Sequence, residues 1–253
     1  MIKIAICGAC GKMGANIAEL LKGDSDTEIF CGVDPRGQGD CGGVTVYKSF
    51  NEIIDKPDVI IDFSSPAVLS DELDYAIKNN VPAVIGSTGF TPAQLEEIKA
   101  ASEKVAIFRT ANFSLGVNLL CKLVNKAAKT LGENFDIEII EKHHNQKVDA
   151  PSGTALMLAD SAAEAFEGGK EYKNGREGIC GKRGKEIGLH AVRGGTIVGE
   201  HEVLFCGEDE IVSLSHSARS KKVFAAGAIK AAKWLAGKSA GLYDMNDVLG
   251  DIL

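Results

Sequence analysis

Five short apolar runs recur along the first part of the chain: IKIAIC (2–7), EIFCGVD (28–34), DVIIDFS (58–64), PAVIGST (82–88) and VAIFRTA (105–111). Continuous runs of this length, rich in Ile and Val, predict strands buried on both faces of a parallel sheet. Between them, 12–22, 49–55, 67–79 and 92–103 carry helical spacing, and Pro66 and Pro92 suit first helical turns. Alternation of this kind predicts an α/β fold with a doubly wound parallel sheet. After Asn112 the rhythm changes. A long helix is expected over 116–131, an alternating strand over 135–141, and a helix from Gly153 to about Phe166. Residues 167–186, rich in Gly and charge, read as a long mobile loop and a candidate lid. Beyond it, 187–195, 196–207 and 210–218 read as successive antiparallel strands, and 221–236 as a closing amphipathic helix.

Composition narrows the class. With 253 residues, 45% hydrophobic and 25% charged, the chain can bury a substantial core. Its net charge of −7 speaks against a general nucleic-acid or anionic-membrane binder, but not against a small anionic substrate. No apolar run reaches the length of a membrane span and the N-terminus lacks a signal-peptide layout, so a cytoplasmic protein is expected. The seven cysteines are scattered, without a second close pair of ligands for zinc, and no metal is expected.

The stretch CGACGKMG (Cys7–Gly14) carries two overlapping patterns, a Cys-x-x-Cys pair and three glycines three apart. A redox pair would have aromatic and Pro surroundings, which are absent; the cysteines read as space-filling. The glycines follow the first strand and open a helix, where backbone N–H groups can approach a pyrophosphate closely. Gly8, Ala9, Cys10, Gly11, Lys12 and Met13 are therefore candidate cofactor-binding residues. Lys12 is followed by Met13, with no hydroxyl placed for Mg²⁺, so a P-loop is set aside. Asp34, ending the second strand, is placed to meet the adenosine ribose hydroxyls of a nicotinamide dinucleotide. A carboxylate there, followed by Pro35, favours NADH; Arg36 one position on leaves NADPH open. Gly86, Ser87 and Thr88 after the fourth strand, and Thr110, Ala111, Asn112 and Phe113 after the fifth, sit where the nicotinamide end would bind. Together these features describe a Rossmann-type unit. Each of the two later loops could equally be ordinary turn chemistry.

The segment EKHHNQKVDAPSGTA (Glu141–Ala155) brings Lys142, His143, His144 and Lys147 close to a Pro-Ser-Gly-Thr helix start. Imidazoles and an ammonium supply charge and transferable protons. Ser152, Gly153 and Thr154 would present N–H groups at a positive helix end, where a carboxylate is stabilised. The plainer alternatives are solvated histidines and a simple N-cap.

The pattern E-x-H-H-x-x-K-x-D-x-P-S-G-T-A resembles the signature of the dihydrodipicolinate (4-hydroxy-tetrahydrodipicolinate) reductases. The GACGKMG turn, DVIIDFSSP, GSTG, ANFSLGVN and the F-x-x-G-A helix at Phe224–Ala228 extend the resemblance over nearly the whole chain. It implies reduction of a cyclic dicarboxylate to tetrahydrodipicolinate, on the diaminopimelate route to lysine, by hydride from C4 of NAD(P)H. It also implies that His143 and Lys147 are the catalytic proton carriers, and that His144, Gly153 and Thr154 bind the substrate carboxylate. The change of rhythm after Asn112, with the closing helix returning to the first domain, predicts a dinucleotide-binding domain (1–113 plus 219–253) and an inserted, smaller α+β substrate domain (114–218), and the resemblance implies a homotetramer built through the second domain's sheet. Arginines that NADPH-using members often carry are replaced here by Ala15 and Pro35, and a Ser-Arg pair before the last helix by Arg219-Ser220-Lys221. Another two-domain dehydrogenase and a dinucleotide-sensing protein are the alternatives. The combination of His143, Lys147, Gly153 and Thr154 argues against both, because a sensor needs no proton donors beside an anion site and a sugar dehydrogenase needs no carboxylate clamps.

Overall fold

The computed structural model describes residues 1–37 and 41–250; the last three residues of the expected first domain lie outside the described residues. Up to Ser114 the chain forms β1 (Ile2–Cys7), α1 (Lys12–Leu21), β2 (Thr27–Val33), β3 (Val46–Tyr47), β4 (Val59–Asp62), α2 (Leu69–Asn79), β5 (Ala83–Ile85), α3 (Pro92–Ser102) and β6 (Ala106–Arg109). It continues with α4 (Leu115–Leu131), β7 (Asp136–His143), α5 (Gly153–Ala163), β8 (Tyr172–Asn174), β9 (Ile187–Arg193), β10 (Gly199–Cys206) and β11 (Ile211–Ala218). The chain closes with α6 (Lys222–Leu235), β12 (Gly241–Tyr243) and α7 (Met245–Leu249). Two units result: Met1–Ser114 with Lys222–Gly250, and Leu115–Lys221.

The first unit holds a parallel sheet in the order β12-β6-β5-β4-β1-β2-β3. Ile4, Ile6, Ile60, Ile61 and Ile107 are fully buried, as strands covered on both faces require. Helix α1 packs on β1 and β2, and α6 packs on α1 and across β4, β5 and β6. The strand order reverses between β1 and β4, the place where open α/β sheets bind ligands beyond their carboxyl ends. The expected helix at 49–55 is only a 3₁₀ turn at Phe50–Glu52, and 67–79 splits into a 3₁₀ turn at Pro66–Val68 and α2.

The second unit departs further from expectation. Its sheet runs β11-β10-β7-β9-β8, so β9 is not the antiparallel neighbour of β10. It pairs parallel with β7, Ile137 opposite Ile187, while β10 pairs antiparallel with the other edge of β7. The physical reason is the connection: β7 and β9 are joined through α5, long enough for a parallel crossover. Residues 167–186 are not an unstructured loop. They contain β8, which adds to β9, and Arg176 and Arg183 both reach Glu138 on β7. Arg183 also bonds Asp136, and Lys170 pairs with Glu133. Burial would raise the Glu138 pKa, but Arg176, His190 and Arg183 together bring it down to about 2. The core of this unit joins α4 and α5 to the inner face of the sheet through Val124, Leu158, Ile139, Val203 and Phe205.

Candidate active site

In the first unit the glycine turn is shaped by close backbone approach. Gly8 has φ +78°, and a Cβ there would stand 2.7 Å from the Phe63 carbonyl oxygen. At Gly14 a Cβ would meet the Gly8 oxygen at 2.5 Å. Both positions require glycine. Gly11 caps α1 without a side-chain bond, so the N-cap residue supplies no acceptor for the first-turn N–H groups. The turn is braced by Asp34, whose Oδ2 accepts from the Cys10 N–H at 3.1 Å. Arg36 folds back on the same carboxylate, with Nε 2.9 Å from Oδ1 and Nη2 2.9 Å from Oδ2. That guanidinium, with the N–H groups of Arg36 and Cys10, holds Asp34 below the usual carboxylate range despite its burial.

The other two loops lie at the ends of β5 and β6. The Gly86 N–H donates to the Asp62 carbonyl at 2.8 Å, and the Ser87 hydroxyl donates to the Asp62 carboxylate. Thr88 is exposed beyond them. Thr110 and Asn112 bond one another, and Asn112 Oδ1 accepts from the Ser114 N–H at 2.9 Å. Phe113 is buried against Phe63 and Phe108, while Ala111 is exposed.

In the second unit β7 delivers Glu141 and His143 to one face, two residues apart. Glu141, 1% exposed, accepts from His143 Nδ1 at 2.6 Å and from both Arg193 terminal nitrogens at 2.8 Å. It also accepts from the Ser152 N–H at 3.0 Å, tying the strand end to the start of α5. Burial works to raise its pKa, and Arg193, His143 and Ser152 outweigh that and lower it. Ser152 caps α5 by accepting from the Ala155 N–H, and its hydroxyl lies 3.0 Å from His201 Nε2. His201 is pushed down to about 4, first by burial and then by neighbouring His143, so it is neutral at physiological pH. Lys147 lies in the loop after β7, 2.8 Å from Asp149, and its N–H turns back to the His144 carbonyl. The buried Nδ1 of His144 has no partner among the described residues. The sequence-derived residues His143, His144, Lys147, Gly153 and Thr154 thus share one end of β7 and the start of α5.

The family model for the N-terminal part of dihydrodipicolinate reductase matches residues 2–113, and the model for its C-terminal part matches 116–249. The chain is 47% identical over 250 residues to the 4-hydroxy-tetrahydrodipicolinate reductase of Caldanaerobacter subterraneus, covering 98% of both chains. The chain belongs to the dihydrodipicolinate reductase family. The Caulobacter vibrioides reductase is 46% identical over 254 residues, covering 98% of this chain and 97% of that one. A dipicolinate-bound dihydrodipicolinate reductase from Paenisporosarcina sp. TG-14 superposes with a TM-score of 0.80 at 30% identity, covering each chain completely. As a member of this reductase family the chain is an NAD(P)H-dependent oxidoreductase. Among the described residues no helix is long and apolar enough to cross a membrane.

Some of this reductase's site was not read from the sequence. Glu141 stands in the quoted signature, but the expected strand stops at 141, whereas β7 runs to His143, so the i, i+2 relation of the two was not read. Arg193 and His201 arrive from β9 and β10, far along the chain, and no local pattern marks them.

Proposed function

We propose that this chain reduces 4-hydroxy-tetrahydrodipicolinate to tetrahydrodipicolinate, with a hydride and a proton taken up and water released, on the diaminopimelate route to lysine, with NADH favoured over NADPH. The observation that carries the reading is the cluster at the end of β7. There a buried, carboxylate-braced His143, the Lys147 ammonium and the first turn of α5 follow within a few residues of one another.

The glycine turn suits a dinucleotide, since Gly8 and Gly14 let the backbone fold too tightly for any Cβ and N-cap Gly11 opens α1 without a capping side chain, which leaves its N-terminus to an anion. Gly8 to Met13 hold the pyrophosphate, Asp34 the adenosine ribose, and residues 86–88 and 110–113 the nicotinamide end. When bound, the dinucleotide supplies the hydride. His144 and the N–H groups of Gly153 and Thr154 hold a substrate carboxylate at the positive end of α5. Lys147 and His143 carry the proton taken up by the nitrogen-conjugated anion of the substrate ring. Asp149 keeps the Lys147 ammonium at this end of the strand. Dipicolinate in the Paenisporosarcina structure supports a small dicarboxylate substrate. Ala15 and Pro35, where arginines would grip a 2′-phosphate, support NADH.

We place the protein in the cytoplasm as a homotetramer. The tetramer would form through the face of the five-stranded sheet that carries Ile140, Glu202 and Leu204, opposite the helices.

The test supplies synthase-generated substrate with NADH or NADPH and follows nicotinamide oxidation for wild type and Lys147→Ala. Wild type consumes cofactor, and the variant loses about 10²- to 10⁴-fold, chiefly in kcat. A wild-type enzyme that oxidises neither cofactor would reject the reading.

A further inference from the structure

A carboxylate has two oxygens and about four positions at which it can accept hydrogen bonds. In Glu141 all of them are in use. Oε2 accepts from His143 Nδ1 and Arg193 Nη1, and Oε1 accepts from Arg193 Nη2 and the Ser152 N–H. Arg193 and a backbone amide can only donate, so this carboxylate has no place left for a proton of its own. The 2.6 Å contact to His143 therefore has one polarity, with Nδ1–H as donor and Glu141 as acceptor.

Fixing one ring nitrogen fixes the other. We infer that Glu141 is a positioning residue that holds the proton of His143 on Nδ1, which makes Nε2 the atom that exchanges a proton with substrate. The inference rests on the proposed role of His143 and adds to it the reacting atom and the group that selects it.

Two further features agree. Gly199, opening β10, lies under that side of the ring: a Cβ there would stand 3.1 Å from Nε2 and 3.4 Å from Cδ2. A side chain at this position would crowd the atom assigned to proton exchange. The His201 ring meets His143 edge-on, with centroids 5.1 Å apart. His201 is kept neutral by burial, so it packs against His143 without opposing a second proton there. Arg193 completes the device. It compensates the buried carboxylate, and its Nη2 reaches the Asp149 carbonyl at 2.7 Å, which ties β9 to the Lys147 loop.

The test combines spectroscopy and kinetics on the full-length enzyme labelled with ¹⁵N-histidine, its His143 signals identified by their loss in His143→Asn. Long-range proton–nitrogen correlations should show the Nδ1–H form of His143. Glu141→Gln, whose amide can donate as well as accept, should populate the Nε2–H form. It should also lower kcat by about 10- to 10³-fold with substrate KM changed by less than about threefold. Glu141→Asp, which keeps the charge, should retain the Nδ1–H form and recover part of kcat. Gly199→Ala lies outside the carboxylate cluster and covers the case in which Glu141→Gln fails to fold. It should lower kcat while the Nδ1–H form persists. A wild-type His143 in the Nε2–H form, an unchanged tautomer in Glu141→Gln, or full kcat in Gly199→Ala would each overturn the inference. Full kcat in His143→Asn would instead overturn the role of His143 itself, leaving the spectra to judge Glu141 separately.

Discussion

Asp62 and Glu72 bring carboxylate oxygens to within 4.8 Å of each other in the core of the first unit, and their surroundings are unequal. Asp62 accepts from the Ser64 N–H and from the hydroxyls of Ser64 and Ser87. Glu72, 1% exposed, leaves Oε1 without a partner among the described residues. Burial pushes both carboxyls up, but only at Asp62 do donors oppose it, so Glu72 keeps the proton.

A group whose folded pKa is raised contributes stability below its unfolded value and loses it as pH rises toward the folded one. Glu72 therefore weighs against the folded state at neutral pH and much less at pH 4. Glu72→Met, which also removes an unsatisfied polar atom, should raise stability at pH 8 by about 1–3 kcal/mol. Urea unfolding of both proteins at pH 4 and pH 8 should show that gain shrinking at the lower pH.

Glu138 works in the opposite direction. Its folded pKa of about 2 is depressed, so its contribution is present above the ordinary carboxylate value and lost as pH falls toward 2. Glu138→Gln should destabilise at pH 7, with the penalty fading on acidification. Because Arg176 and Arg183 hang on this carboxylate, the variant should also be nicked by trypsin within 172–186 at least about fivefold faster. Adding cofactor and a dicarboxylate should leave wild-type nicking there unchanged, since the segment is held to β7 rather than poised as a lid.

The cysteines of the glycine turn should be dispensable. Cys10 braces the turn through its N–H, which alanine retains, and Cys7 is a buried strand residue with its thiol pushed well above the usual range by burial. The double variant Cys7→Ala, Cys10→Ala should keep kcat within about threefold, because neither thiol enters the chemistry. Loss of turnover in a folded double variant would return the Cys-x-x-Cys reading to the front.

Among the described residues, Arg36 is the one arginine paired with Asp34. Removing it should leave NADH use nearly intact and weaken NADPH use, since a guanidinium beside the ribose site is what a 2′-phosphate would seek. For Arg36→Ala the ratio of kcat/KM for NADH to that for NADPH should rise by about tenfold, roughly the worth of one charge-assisted contact.

The first unit was largely legible because its strands are buried on both faces and written as unbroken Ile and Val runs. What was missed there is short: β3, β12 and α7 have too few residues to show a period. The second unit was read less well. Strands β9, β10 and β11 have similar patterns, and a pattern reveals which face is buried, not which strand lies alongside. The position of β9 was decided by the crossover through α5 and by arginines meeting Glu138 from a segment that looked featureless. The site followed the same division. Residues contiguous in the signature could be read together, whereas Arg193, Gly199 and His201 became partners of β7 only through strand register.

The insertion of one unit into the other has a consequence for birth on the ribosome. When synthesis reaches Lys221, every element of the second unit has been made, and it can fold as a unit. At that moment β4, β5 and β6 still lack α6, and β6 lacks its edge partner β12. The half of the chain made first is therefore completed last. Until α6 emerges, the apolar flank of the nascent sheet is the part of this molecule most exposed to chaperones and to aggregation.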